Sequence, residues 1–258
     1  MKKRVSTKTI SDLQALLERE VITRNTQKEL TFDKPDPLLI ASIEPNEYKA
    51  LICALYAYGN AHAIVSFLQS LDFSLLDMPE KTIREKLSSS YYRFQTPLDT
   101  QELFVTLSSL KKVTSLHTLF QQGYQQRRDV MDGLKTLIEA LYDVNAYRSK
   151  GYQFLLGKIP RRPYASPYKR WHMYLRWMVR KDYLDLGLWT DVERSDLLMP
   201  LDVHTFKMGQ KLGLISQKSY GFKAVLELTE KLKVFDVSDP VKYDFALYRL
   251  GQERKVLE

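Results

Sequence analysis

Lys169 is the residue whose setting most directly suggests chemistry. It follows a stretch at 157–167 broken by Pro160, Pro163 and Pro167, and it opens an amphipathic run. Ser166 is placed to cap the helix that follows and Pro167 to occupy its first position, which puts Lys169 in the first turn. Free amides and the helix dipole make that end electropositive, so an ammonium is disfavoured there and the neutral amine, a nucleophile, is favoured. The adjacent Arg170 is a poor substitute, because a guanidinium keeps its proton at working pH. The same helix start can hold a phosphate through its amides. A carboxylate of interest lies further on: Asp202, just ahead of V-H-T-F-K, reads as a helix N-cap that can still face a cleft.

The charge around Lys169 is one-sided. Between positions 158 and 181 fall Lys158, Arg161, Arg162, Lys169, Arg170, Arg176, Arg180 and Lys181, with no Asp or Glu among them. The whole chain carries a net charge of +8, which favours a polyanionic partner such as nucleic acid. Tyr164, Tyr168, Trp171, Tyr174 and Trp177 are interleaved with these bases, as suits base stacking beside phosphate contacts. The plain alternative is a solvated basic face. Along the helix, Trp171, Tyr174, Leu175 and Met178 share a packing face, while Lys169, Met173, Arg176 and Arg180 follow the face turned to a ligand. Trp171 reads as core; Trp177 reads equally as core or as part of a pocket.

The elements that must position these groups are helical. Apolar residues recur at helical spacing, as in Leu51, Ala54, Leu55 and Tyr58 or Leu134, Leu137, Ile138 and Leu141, and strict alternation is scarce. The expectation is an all-α protein with helices at 8–24, 46–70, 80–89, 99–110, 114–125, 130–156, 167–181, 191–197, 202–212, 218–232 and 240–249. At 258 residues, 44% apolar and 27% charged, the chain is long and apolar enough for a sizeable core. Cys53, the single cysteine, lies in an apolar run and reads as a buried small hydrophobe, so neither a disulfide nor a four-cysteine cluster is available within one chain. His62, His117, His172 and His204 show no metal-ligand spacing. No nucleotide-binding fingerprint is present. No metal and no cofactor are expected. The basic N-terminus lacks the apolar stretch of a signal peptide and no long apolar run follows, so a cytoplasmic, nucleoid-associated protein without a membrane partner is expected.

Residues 199–214, M-P-L-D-V-H-T-F-K-M-G-Q-K-L-G-L, together with the basic helix before them, resemble the helix-hairpin-helix DNA glycosylase superfamily. Members carry a lysine at the start of the hairpin's second helix and a later V-D-V-H-like turn with an essential aspartate; Lys169 and Asp202 match these. The long spacing between the two is similar to that of the archaeal-type 8-oxoguanine glycosylases, with the extra piece at 182–196 expected as a short helix. The R-W-M-V-R and L-D-L-G-L-W blocks resemble an uncharacterised bacterial family of that kind. The usual G-V-G hairpin is replaced by P-R-R-P-Y-A-S-P.

The resemblance implies a single glycosylase-like unit over 1–258, with helical subdomains at 45–156 and at 1–44 plus 157–258 flanking a basic cleft. It implies a monomer that binds double-stranded DNA containing a damaged base and excises an oxidised purine through a Schiff base on Lys169, with Asp202 supporting the cationic sugar. Asn60 would enter the gap left by the extruded base. The base pocket would take Trp177 or Tyr248 as a stacking surface, Met173 beside it, and Asp244, four positions before Tyr248, as an acceptor; Asp244 also reads as an ordinary first-turn acid. Arg161, Arg162, Ser166, Arg170 and His204 would contact DNA, although a lone histidine can equally be packed. Two rival functions stay open: a helical nucleic-acid-binding protein without chemistry, and a glycosylase for alkylated or other damaged bases.

Overall fold

Most helices of this chain begin at a side chain that captures a free amide. In the computed structural model, which describes residues 9–252, Thr9 accepts from the Asp12 amide and opens α1 (Ile10–Arg24). Asp36 caps α2 (Pro37–Ala41), Asn46 caps α3 (Glu47–Leu55) and Asn60 caps α4 (Ala61–Ser70). After α5 (Glu80–Lys86) the pattern resumes with Thr96 before α6 (Pro97–Lys111), Ser115 before α7 (Leu116–Tyr124), Asp129 before α8 (Val130–Val144) and Ser149 before α9 (Lys150–Leu156). α10 (Lys169–Val179) has no side-chain cap. Asp202 caps α11 (Val203–Lys211), and α12 (Phe222–Lys233) and α13 (Asp244–Gln252) complete the set. The all-α expectation is met, save for a small hairpin of β1 (Lys181–Asp182) and β2 (Asp185–Leu186). Residue 8 of the first expected helix, and the basic segment before it, lie outside the described residues.

Three expected elements differ. The helix expected over 46–70 is two helices, because Gly59 takes φ 103 in the left-handed region and Asn60 starts the chain afresh. The helix over 130–156 breaks at Asn145, which is extended, and restarts at the Ser149 cap. The helix expected within 182–196 is the hairpin followed by a single 3₁₀ turn, Arg194–Asp196. Here Asp182 accepts from the Leu184 amide at 2.7 Å and Gly187 takes φ 62, a turn signal that outweighs the helical spacing of the leucines.

α10 lies at the centre of the molecule. Every residue from Trp171 to Val179 is buried, so it is a core helix and has no solvated polar face of the kind expected. It packs on α3 and on β2. The amides of Gly187 and Trp189 reach back to the carbonyls of Trp177 and Met178, at 3.1 and 2.8 Å, and so satisfy the open end of α10. Glu47 fastens the neighbouring parts: its carboxylate accepts from the Leu116 and His117 amides at the start of α7 and from Trp189 Nε1 at 3.0 Å. Cys53 is fully buried, as expected. No helix of the described residues is long and apolar enough to cross a membrane.

Candidate functional site

A cavity of about 660 Å³ opens beside the start of α10. α10 contributes Lys169, Arg170, Met173, Arg176 and Trp177; the start of α11 contributes Asp202, Val203 and His204. Asp244, Phe245 and Tyr248 come from α13, Tyr58, Gly59 and Asn60 from the turn between α3 and α4, and Asp36 from the cap of α2. The tertiary fold therefore gathers Lys169, Asp202, Met173, Trp177, Asp244, Tyr248, Asn60, Arg170 and His204 onto one wall system.

Lys169 is the first residue of α10 itself. The expected helix start is displaced: Tyr168, at φ 47 and ψ 34, interrupts the chain after Pro167, so Pro167 is not a helical residue. Ser166 is not the cap. Its Oγ accepts only a 3.4 Å bond from the Tyr168 amide. Among the described residues Lys169 has no carboxylate within salt-bridge distance, and its Nζ lies 3.6 Å from Met173 Sδ. A half-buried lysine in a cavity with a thioether for its nearest polar contact is left available to a ligand.

Asp202 is extended, at φ −110 and ψ 179, and its Oδ1 accepts from the Thr205 amide at 2.7 Å. Tyr220, also in the cavity wall, donates to the carbonyl of Leu201 and holds the residue before it. α11 packs on α13, where Gly251 permits the approach: a Cβ there would lie 3.3 Å from the His204 carbonyl oxygen. That contact brings the Asp202 end of α11 to the helix bearing Asp244 and Tyr248.

Asp244 is buried and accepts from Arg176 Nη1. Burial pushes its carboxyl up to about 6; Asp202 pushes the same way, and the cations of Arg176 and Lys169 oppose both. The Asp244 carboxyl thus feels both the Lys169 ammonium and the Asp202 carboxylate across the cavity they share. Trp177 is 1% exposed with no hydrogen-bond partner for its Nε1, so it is core behind the cavity and not a stacking surface. Tyr248 is half-buried, its hydroxyl accepting from Gln252 Nε2 at 2.6 Å, and is the aromatic side chain of the pair that keeps accessible surface.

Residues 36–253 match the family described as a protein of unknown function, DUF2400. The chain belongs to the DUF2400 family. The matched span contains every residue that lines the cavity. No curated protein and no solved structure matches the chain.

The basic run of this DUF2400 chain is less free than its sequence implies. Arg176 and Arg180 are both buried in ion pairs; Arg176 reaches the cavity wall, as the expected ligand-facing side requires, whereas Arg180 does not line the cavity. Arg176 Nε donates to Asp185 at 2.9 Å, and Arg180 binds Asp239 at 3.0 Å, Asp182 at 2.9 Å and Asp185. Arg162 lies outside the cavity and pairs with Asp129. Arg161 lines a separate depression, and Ser166 lines neither. Arg170 lines the cavity, but its guanidinium donates to the carbonyls of Leu55 and Phe154 and sits against the rings of Tyr58 and Phe154. Burial lowers its pKa to about 10. Asp36 and Tyr58 are wall residues that sequence reasoning missed; the D-P cap of α2 marks Asp36 as a helix start and nothing local marks it as a cavity residue. No group of His, Cys, Asp or Glu able to hold a metal occurs among the described residues.

Proposed function

We propose that this chain is a DNA N-glycosylase with AP lyase activity, excising a damaged base, 8-oxoguanine before others, from double-stranded DNA. The observation that carries the reading is that Lys169 and Asp202, distant in sequence, share one cavity in which the lysine has no carboxylate partner among the described residues. α9, residues 157–168 and α10 would stand in the place of the hairpin motif, and the cavity would be the cleft.

In this reading the Lys169 amine attacks C1′ of the extruded nucleotide. The electron pair of the C1′–N bond leaves with the base, which takes up a proton, while the Asp202 carboxylate supports the positive charge that develops on the sugar. Opening of the sugar gives the Schiff base, and loss of a C2′ proton expels the 3′ phosphate and cuts the strand. Turning the nucleotide out costs a few kcal/mol, which favours damaged or mismatched bases. Asn60, exposed at the rim, is suited to fill the space it leaves. Tyr248 offers the stacking face, and Asp244 accepts from the N7 hydrogen that 8-oxoguanine has and guanine lacks.

Borohydride treatment with an 8-oxoguanine duplex tests this directly: a covalent product with the native chain, absent with Lys169→Gln, supports it. Tight binding with no product on any damaged duplex favours a binding protein without chemistry. That second reading draws on the Thr205 amide bond, since capping alone accounts for Asp202.

A further inference from the structure

Next to the cavity, on the far side of Tyr58, two phenylalanines face solvent: Phe94 is 51% exposed and Phe154 40%. Their rings meet edge to face at 4.9 Å, and Tyr58 packs against both at 5.8 and 4.8 Å. Arg170 stands 4.6 Å from the Phe154 ring, and Arg93 stands 5.9 Å from that of Tyr58. Exposed aromatic rings beside guanidinium groups are suited to unstacked nucleobases, because every base has a π-face.

Phe94 is held outward by its turn. Tyr92 and Gln95 pair through their backbones at 2.9 and 3.3 Å, leaving Arg93 and Phe94 as the two residues at the tip. Both flanks are anchored in the core: the Tyr92 hydroxyl donates to the Tyr58 carbonyl at 2.7 Å, and Gln95 Nε2 donates to that of Gly151 at 3.3 Å. Arg93 takes φ 57, a conformation that L residues adopt at a cost. The turn thus buries Tyr92 and Gln95 while its strained tip keeps the Phe94 ring half in water.

Phe154 also borders a depression of about 710 Å³ whose wall holds Arg148, Lys150, Lys158 and Arg161 against the single acid Asp143. None of these four cations has a carboxylate partner among the described residues. Cations therefore continue past the aromatic pair, and the charge complements a polyanion.

We infer that Phe94 and Phe154 form a base-stacking platform for an unpaired stretch of a nucleic-acid strand, whose phosphates run on to Lys150, Lys158 and Arg161. It rests on the DNA reading of the cavity for the identity of the polymer, and it needs no chemistry at Lys169.

The test is fluorescence anisotropy of the full chain with a labelled, undamaged oligothymidylate single strand. The native chain binds it, and Phe94→Ala and Phe154→Ala each weaken binding about tenfold or more, within the range for loss of one stacked base. Phe94→Leu weakens it as well, since leucine keeps the apolar surface without the flat ring. Lys158→Gln with Arg161→Gln flattens the salt dependence. Undiminished binding by Phe94→Leu, or native binding of duplex but not of single strand, overturns the platform. If no damaged duplex is ever trapped yet the phenylalanine variants lose the strand, the platform stands and the glycosylase falls. If trapping succeeds and the phenylalanine variants bind as the native chain does, the reverse holds.

Discussion

Arg176 Nη1 donates to the Asp244 carboxylate while its Nε donates to Asp185, so one of the three acids lining the cavity is tied to a buried chain of charges that continues through Arg180 to Asp239. The cavity wall and the β1–β2 hairpin are thereby one electrostatic unit.

Removing a member of that unit leaves a buried charge without its partner. Asp185 is fully buried between two arginines. Asp185→Ala is expected to cost about 3–5 kcal/mol, the loss that follows when one side of a buried pair is removed. Urea denaturation checks this; a change within experimental error means that water enters and solvates the arginines.

The raised carboxyl of Asp244 has a pH consequence. Between the ordinary aspartate value of 3.8 and about 6, the folded protein keeps a proton that the unfolded chain has released. The stability contributed by this group is complete below that window and declines as pH rises through it. Asp244→Asn, which does not titrate, is expected to flatten this part of the curve of unfolding midpoint against pH. Single-turnover excision should move in the opposite sense, rising through about pH 6 as the acceptor ionises, and that rise should vanish in the same variant.

At Asp202 the observed helix cap and the proposed charge support can be separated by substitution. Asparagine caps a helix about as well as aspartate but brings no charge, so Asp202→Asn should keep the native melting temperature and lose excision by on the order of 10²–10³-fold. Asp202→Ala should lose excision and also about 0.5–2 kcal/mol of stability. Equal activity in Asp202→Asn and the native chain would reduce the residue to a cap.

Lys169 is half-buried and has no ion pair among the described residues, so its replacement should spare the fold. Lys169→Gln should unfold at the native midpoint and give no borohydride-trapped product. Lys169→Arg should also fail to trap, because the guanidinium keeps its charge and offers no free amine.

Much of the architecture was readable along the chain. Helical spacing of apolar residues carried the all-α class, and Ser, Thr, Asn and Asp at helix starts are local devices whose geometry depends on three or four neighbours. Asp202 as a cap belongs with these. The errors are also local in origin: the helix breaks at Gly59 and Asn145 and the turn at Gly187 come from single residues that long periodic runs concealed.

What sequence alone determined is the all-α class and most of the side chains that start the helices. Packing decided the rest. The run from 158 to 181 contains no acid, yet Arg162, Arg176 and Arg180 find Asp129, Asp244 and Asp239 across long stretches of chain, and the packing around α10 dictates the pairs of Arg176 and Arg180. The same packing buried Trp177 and left Tyr248 accessible, and α11 packing on α13 brought Asp202 towards Asp244. Caps and turns follow from neighbours in sequence, whereas the partner of a charge and the wall of a cavity follow from which helices touch.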